Sequence, residues 1–191
     1  MKKQLFNIFC LVVLAFGSFS CKKVYDDNSL APLAQAYAPI PVTVTNANYF
    51  ERFYIITATA PTATNNGDFT INFSIPADKG KIKEITKVAT GGSGLVQVQT
   101  GAPAVLYNYN GLTGTSAGYT VTPGNGTNTI TYTSKLSDYK TYQTRVGTGL
   151  APVSATVSTN PQAPNQINFY FLITLEDGTT IIPPLVRVRV I

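Results

Sequence analysis

Histidine and tryptophan are both absent from the 191-residue sequence. Without histidine the chain has no Ser-His-Asp or Cys-His nucleophile system, no His-containing zinc site and no access to the commonest general acid and base. The side chains that could still act in catalysis are carboxylate pairs, tyrosine or lysine. We therefore expect a non-enzymatic protein without cofactor or metal, and keep a carboxylate-dependent hydrolase as a remote alternative. Seven acids lie beyond the first 40 residues, most of them beside turn residues: Glu51, Asp68, Asp78, Glu84, Asp138, Glu176 and Asp177.

Charged residues and cysteines are also scarce. Charged residues make up 12% of the chain, about half the usual share. They form no dense basic stripe, so the formal charge of +5 does not indicate a nucleic-acid partner. The two cysteines are Cys10 and Cys21, and Cys10 lies in an apolar N-terminal run. A chain that loses this run keeps one cysteine, so we expect a fold held by its core without a disulfide.

The N-terminal segment has the layout of a secretory signal. Lys2 and Lys3 form a basic start, Leu5 to Phe16 is a mostly apolar run, and the run closes on Ser18-Phe19-Ser20-Cys21. A permanent membrane-spanning helix needs about 20 apolar residues, and this run is shorter. Residues 1–20 are therefore predicted to be a signal peptide. An ordinary cleaved signal, or an uncleaved anchor with an incidental cysteine, is the alternative.

This ending on cysteine resembles the lipobox of bacterial lipoproteins. The resemblance implies a diacylglycerol thioether on Cys21, and hence a domain attached to the outer membrane, at the cell surface or on the periplasmic face. Residues 21–40, polar at first and then rich in Ala and Pro, are predicted to be a flexible tether. Surface lipoproteins of Bacteroidota carry acids after the lipidated cysteine. Here Asp26 and Asp27 follow Lys22 and Lys23, which is a partial match.

Residues 41–191 are predicted to form one all-β, antiparallel sandwich with extra strands or long loops. Most of the chain's 15 Gly and 12 Pro lie in this part, where together with Thr and Asn they separate short alternating runs. Residues 81–88 are ambiguous, because Ile82, Ile85 and Val88 suit a helix while their β-branching and the glycines that follow favour a bulged strand. We favour the strand. The other predicted strands are a start at Val42 and Val44, a strand or bent pair at 49–59, and runs at 69–75, 95–99, 105–109, 118–122, 128–133 and 139–146. The long loop 147–165 follows, with one possible edge strand at 153–157.

The C-terminal part predicts a hairpin. Gln166–Leu175 and Thr179–Ile191 flank a turn built on Asp177-Gly178. Pairing Glu176 with Thr179 places Phe169 opposite Val186 and satisfies both faces of the hairpin. The same register pairs Ile173 with Ile182, Ile167 with Val188, Asn168 with Arg187 and Tyr170 with Leu185. Pro183-Pro184 cannot donate to a ladder, so the last strand is expected at an edge, or broken there to change sheets.

This closing pair resembles the last two strands of immunoglobulin-like and fibronectin type III modules. The resemblance covers about the final 26 residues and is architectural. There is no Cys-Trp-Cys framework, which excludes a true antibody-type domain. The fold by itself does not imply a function.

Tyrosines in the middle third are the predicted ligand-binding residues. In Tyr107-Asn108-Tyr109-Asn110, two rings would share one strand face with amides between them. Tyrosine at the edges of a sandwich core is the alternative. Glycan binding is our first specific hypothesis, because Bacteroidota use many such lipoproteins in glycan uptake. An adhesin or pilin-like subunit that contacts another envelope protein is the second hypothesis. The full predicted set is Tyr107, Tyr109, Tyr132, Tyr139 and Tyr142.

Overall fold

The computed structural model describes residues 40–50, 52–111 and 118–191. Within these ranges the chain forms ten strands and two α-helices, with short 3-10 helices at Ala77–Lys79 and Pro103–Val105. The predicted signal peptide (1–20), Cys21 and the tether as far as residue 39 lie outside the described residues. The strands are β1 (Thr43–Val44), β2 (Asn48–Phe50), β3 (Phe53–Ala58), β4 (Asp68–Ser74), β5 (Ile82–Thr90), β6 (Thr122–Pro123), β7 (Thr129–Lys135), β8 (Gln166–Leu175), β9 (Thr180–Ile181) and β10 (Val186–Val190). The helices are α1 (Gly94–Thr100) and α2 (Leu136–Val146).

The strands form two sheets packed as a sandwich. The smaller sheet has the order β1-β4-β7, and the larger has the order β2-β3-β10-β8-β5-β6 with β9 added beside β8. The predicted all-β sandwich is therefore confirmed. The pairings are antiparallel with one exception among the described strands, since β10 runs parallel to β3. This pair is a departure from the wholly antiparallel arrangement that we predicted.

Alternation of apolar and polar residues explains the central strands. In β4 the side chains of Phe69, Ile71 and Phe73 are buried, and the residues between them are half-buried. Strands β7 and β8 show the same alternation. Because successive side chains of a strand point to opposite faces, each of these strands supplies one apolar row to the core. The strands predicted at 69–75, 128–133 and 166–175 are confirmed to within two residues.

Aromatic rings join the two sheets across the core. Phe69 and Phe73 of β4 meet Phe169 and Phe171 of β8, with ring centroids 5.4 and 4.9 Å apart. Tyr132 of β7 contacts Phe171 edge-on at 5.1 Å. Each edge-to-face pair stabilises the core by about 0.5–1.5 kcal/mol beyond the contribution of the apolar area that it buries.

Strand β5 resolves the ambiguous segment. It is the bulged strand that we favoured, with register shifts against β8 between Ile82 and Glu84 and between Ile85 and Lys87. Each shift sets two steps along β5 against one step along β8, so core-facing residues recur every third position instead of every second. Ile82, Ile85 and Val88 therefore face the core at a spacing typical of a helix.

The C-terminal hairpin forms with part of the predicted register. Phe169 pairs with Val186, Asn168 with Arg187 and Ile167 with Val188, as predicted. Nearer the turn the register differs by one residue. Ile173 pairs with Ile181, where Ile182 was predicted, and Tyr170 has no partner in β10 because that strand begins at Val186.

The loop explains this difference. The amide of Leu175 donates to the carbonyl of Thr179 (2.8 Å), so three residues connect the strands where two were predicted. Gly178 has φ 86°, the left-handed residue that closes a three-residue hairpin loop. The pairing returns to the predicted register after residues 182–185. There Pro183-Pro184 interrupts the pairing with β8, between the segments β9 and β10.

The position of β10 corrects a second expectation. The chain does break at the prolines, but β9 and β10 both pair with β8 in the same sheet. Strand β10 lies inside that sheet, between β8 and β3, and is not an edge strand. The prolines are accommodated because they fall between two paired segments.

Several predicted strands are wrong. Segment 95–99 lies in α1 and 139–146 lies in α2. Val in the first segment, and Tyr, Thr and Val in the second, suggested strands, but the buried residues follow helical spacing. Segment 105–109 begins in a 3-10 turn after Pro103, and its only bridge in the described ranges joins Tyr109 to Tyr119. Of 118–122, only Thr122 belongs to a strand, and the described residues 153–157 form no strand. The predicted long loop 147–165 and the bent pair at 49–59 are confirmed.

Candidate functional site

The predicted tyrosines lie largely inside the molecule. Tyr132, Tyr139 and Tyr142 are 6%, 1% and 3% exposed, so their rings offer no face on which a sugar can stack in this conformation. Tyr107 is half-buried, and its ring contacts Phe169 at 5.3 Å. Four of the five predicted residues thus contribute to packing, which is the alternative weighed for them. Whether any of the five contacts a ligand stays a prediction.

Hydrogen bonds satisfy the buried hydroxyls. The hydroxyl of Tyr139 donates to the carbonyl of Val153 (2.9 Å) and that of Tyr142 to the carbonyl of Val105 (3.1 Å). The Tyr107 hydroxyl lies 2.8 Å from Oγ of Ser134. Burial raises the pKa of all these phenols, and that of Tyr132, above the usual range. They stay neutral at physiological pH.

Arg145 joins the tyrosines to the segment before Gly111. Its guanidinium lies over the rings of Tyr109 and Tyr142, 4.9 and 5.2 Å from their centroids. It also donates to the carbonyls of Ala104 and Leu106. Tyr107 and Tyr109 do not share a strand face, since the segment is a turn and the two rings have different neighbours. This cluster attaches a loop to α2, and its contacts are those of a structural element.

The β2–β3 hairpin carries the more exposed aromatic surface. Tyr49 and Phe50 are 65% and 56% exposed and lie on opposite faces of an edge strand whose residues are all exposed. Tyr49 pairs with Tyr54, and Phe50 pairs with Phe53. The sequence predicts a strand or bent pair here, but no ligand site. The available signal was four aromatic residues placed two on each side of a two-residue connection.

A groove lies along the Tyr49 face. The rings of Tyr49 and Tyr54 are 5.1 Å apart and inclined at 60°. They line a depression of about 540 Å³ together with Arg52. A groove of this size suits a small ligand, and its lining combines aromatic rings with hydroxyl and guanidinium donors. The remaining lining residues are Thr43, Val44, Thr45, Ala47 and Pro184.

Arg52 holds an unusual backbone conformation. It has φ 70° at the tip of the hairpin, in the left-handed region that normally selects glycine or asparagine. Among the described non-glycine residues it alone has a positive φ. Backbone strain of this kind is concentrated at functional positions, which makes Arg52 a candidate ligand contact.

A second groove lies on the Phe50 face. It holds about 260 Å³ and is lined by Asn48, Phe50, Ile55, Thr57 and Arg189. Beside it the guanidinium of Arg187 lies 3.4 Å from the centroid of the Phe53 ring. The hairpin thus separates an aromatic groove from a groove with a cationic wall.

The acids do not assemble into a metal site in the described part of the chain. There, no three Asp, Glu, His or Cys side chains lie close enough together to hold an ion. Asp68 begins β4, Asp138 lies in the first turn of α2, and Asp78 forms an exposed ion pair with Lys79 at 3.6 Å. Glu176 and Asp177 lie in the C-terminal turn, and Glu51 lies outside the described residues.

No helix in the described ranges has both the length and the apolarity to cross a bilayer. Comparison of the chain with protein-family models, with curated proteins and with solved structures finds no match.

Proposed function

We propose that this chain is a lipid-anchored binding module of the bacterial envelope, of the Bacteroidota lipoprotein type, whose β2–β3 hairpin binds a glycan. The anchor is the thioether on Cys21, and residues 22–40 connect it to an immunoglobulin-like sandwich at the outer membrane. The N-terminal signal ending in Ser18-Phe19-Ser20-Cys21 supports the anchor. The hairpin of Ile167 and Phe169 with Val186 and Val188 supports the sandwich class.

The exposed Tyr49 ring beside Tyr54 is the observation that carries the glycan proposal. An aromatic side chain that is 65% exposed contributes nothing to the core, and its apolar face remains in water. The C–H face of a pyranose ring covers such a surface well. Tyr54 forms an inclined wall 5.1 Å away, so a sugar on Tyr49 has a second aromatic contact.

Polar groups around the rings complete the recognition surface. Thr43, Thr45 and Arg52 line the same groove and offer hydroxyl and guanidinium donors to sugar oxygens. Aromatic stacking with a few placed polar contacts is the usual composition of a small-ligand site. Binding requires no chemistry, which agrees with the absence of histidine.

A glycan-array screen of the purified chain tests this proposal. The wild type is expected to bind at least one glycan, and Tyr49→Ala is expected to weaken that binding at least about tenfold, because the stacking face is removed. Tyr109→Ala is the matched control, since it removes a tyrosine at a distance from the hairpin. Circular dichroism of each variant checks that the fold is unchanged.

The control also tests the site that sequence analysis predicted. Binding lost in Tyr109→Ala and retained in Tyr49→Ala would move the site to the Tyr107–Tyr109 segment. No binding to any glycan would contradict the proposal and favour the second candidate, a structural subunit or adhesin. That candidate is supported by β2, an exposed strand at the end of the larger sheet, whose free edge can accept a strand of another chain.

A further inference from the structure

Two arginines project from the outer face of β10. In Val186-Arg187-Val188-Arg189-Val190 the valines are buried in the core, so the alternation places both arginines on the opposite face. In register with them on β3 are Ile55 and Thr57, which share that face. The arginines are therefore neighbours of the Phe50 groove.

Arg187 is held by an aromatic contact. Its guanidinium lies over the ring of Phe53, 3.4 Å from the centroid, next to the tip of the β2–β3 hairpin. A guanidinium stacked on a ring keeps its charge and leaves its N–H groups free at the edge of the plane. This contact fixes a positive charge beside the groove without neutralising it.

Arg189 has no anionic partner. The ion pair in the described ranges joins Lys79 to Asp78, and no carboxylate there lies within 4.0 Å of the Arg189 guanidinium. Its Nε is buried and makes no hydrogen bond within the described structure. Gln166, opposite Arg189 in register on β8, likewise has a buried Oε1 without a partner. Arg189 and Gln166, on neighbouring strands, therefore each carry one buried polar atom that no described group satisfies.

The surroundings of Arg189 favour a ring-shaped ligand. The groove that it lines has the 56%-exposed ring of Phe50 on one side and the polar groups of Asn48 and Thr57 around it. Arg189 also lines a neighbouring depression of about 380 Å³ beside Pro161 and Pro164. A chain of several sugar units could therefore extend to both sides of the guanidinium.

We propose that the Phe50 groove binds an acidic glycan through a uronic-acid unit. The sugar carboxylate accepts hydrogen bonds from the terminal N–H groups of Arg189, and Phe50 covers the sugar ring. Arg187 adds a second positive charge and raises the local potential for anions. The inference rests on the proposed glycan-binding function and assigns the charge class of the sugar to a second groove of the same hairpin.

Calorimetric titration of the full chain, purified in a non-ionic detergent, with an oligogalacturonate tests the inference. We expect Arg189→Gln to weaken binding at least about tenfold, because a charge-assisted hydrogen-bonded contact is lost. Arg189→Lys restores the charge but not the planar fork, so it should give intermediate affinity. Lys83→Gln, the same loss of charge at an exposed position of β5, should bind as the wild type does. The methyl-esterified oligomer, which keeps the sugar and loses the charge, should bind as weakly as Arg189→Gln does to the acid.

Three results would overturn the inference. They are no binding of the oligogalacturonate, equal binding of its methyl ester, and equal binding of poly-L-glutamate, which would assign the groove to acidic peptides. Tyr49→Ala separates the two proposals, because it removes the first groove and leaves Arg189 in place. A chain that binds neutral glycans through Tyr49 and ignores oligogalacturonate would contradict this inference alone. Arg189-dependent binding of oligogalacturonate that survives Tyr49→Ala would support this inference, and binding of neutral glycans alone then tests the first groove.

Discussion

Arg52 is the residue at which local stability and the proposed function are opposed. Its φ of 70° costs on the order of 1 kcal/mol for a residue with a Cβ, and glycine would avoid that cost. Its side chain lines the Tyr49 groove, where it can reach a bound sugar. A role in ligand binding would explain why a strained residue with a long polar side chain is kept at the rim of this groove.

Replacing Arg52 by glycine should therefore stabilise the protein and weaken ligand binding. We expect the free energy of unfolding of Arg52→Gly to rise by about 0.5–1 kcal/mol, the relief of strain exceeding the entropic cost of glycine. The urea midpoint measures the first effect and glycan binding the second. Arg52→Asn, which also tolerates this conformation, is the control for added flexibility. A fall in the urea midpoint of both variants would show that the arginine side chain stabilises the hairpin.

Helix α2 is attached to the rest of the domain through its tyrosines. Leu136, Tyr139 and Tyr142 recur every third residue and form its buried stripe. Two of these tyrosines donate to carbonyls of neighbouring loops, so the helix is packed and hydrogen-bonded through the same side chains. Burial raises the pKa of both phenols, which means that the folded protein binds their protons more tightly than the unfolded chain.

This linkage predicts loss of stability in alkali. Below pH about 10, the pKa of an unfolded tyrosine, the contribution of these phenols is complete. Above it the unfolded chain releases protons that the folded protein keeps, so stability falls by about 1.4 kcal/mol per pH unit for each such group. Urea titrations between pH 8 and 11.5 measure the slope. Tyr139→Phe, which keeps the ring and removes the ionisable hydroxyl, should make the slope shallower. An unchanged slope in this variant would contradict the assignment to Tyr139.

The same elements show what the sequence could and could not predict. Strict alternation of apolar and polar residues predicted β4, β7 and β8. A shift of one residue in any of these strands would turn the apolar row away from the core, so only one register buries it. The spacing of Ile82, Ile85 and Val88 imitated a helix because two bulges lengthen the strand's repeat. In α2 the reverse occurred, since Tyr and Thr favour strands locally while the 3-residue recurrence of buried positions is helical.

The binding surface was harder to predict than the fold. Tyr107 and Tyr49 have similar neighbours in the sequence, and only tertiary packing decides that Phe169 and Tyr142 cover the first while the second stays exposed. The free guanidinium of Arg189 depends on which strands flank β10, and the parallel pairing with β3 is not encoded by any local pattern.

At the scale of the whole molecule, the proposed function is that of a small binding domain on a lipid anchor. The described sandwich holds about thirty buried apolar residues without a disulfide, which suffices for an independent core. In this proposal attachment depends on one side chain outside the described residues, Cys21, so anchoring and folding should be separable by mutation.

Cys21→Ala should release the protein from the membrane without unfolding it. Without the thiol no thioether can form, and a chain without acyl groups has no stable anchor. Fractionation of expressing cells with immunoblotting, and mass spectrometry of the N-terminal peptide, measure the outcome. Cys10→Ala is the matched control, because that cysteine lies within the predicted signal and should leave anchoring intact. Membrane retention of Cys21→Ala would show that another segment holds the protein there.

The interior position of β10 has a consequence for how the protein is made. Strand β3 is paired with residues more than 125 positions later in the chain, and β10 is also the strand that connects it to β8. During synthesis the larger sheet therefore stays divided, with the β2–β3 hairpin on one side and β8 with β5 on the other, until Val186–Val190 has emerged. Closure then proceeds through contacts of very high sequence separation, which form slowly. A chain whose fold is completed late stays unfolded for longer during synthesis, and this delay would favour the export across a membrane that the proposed function requires.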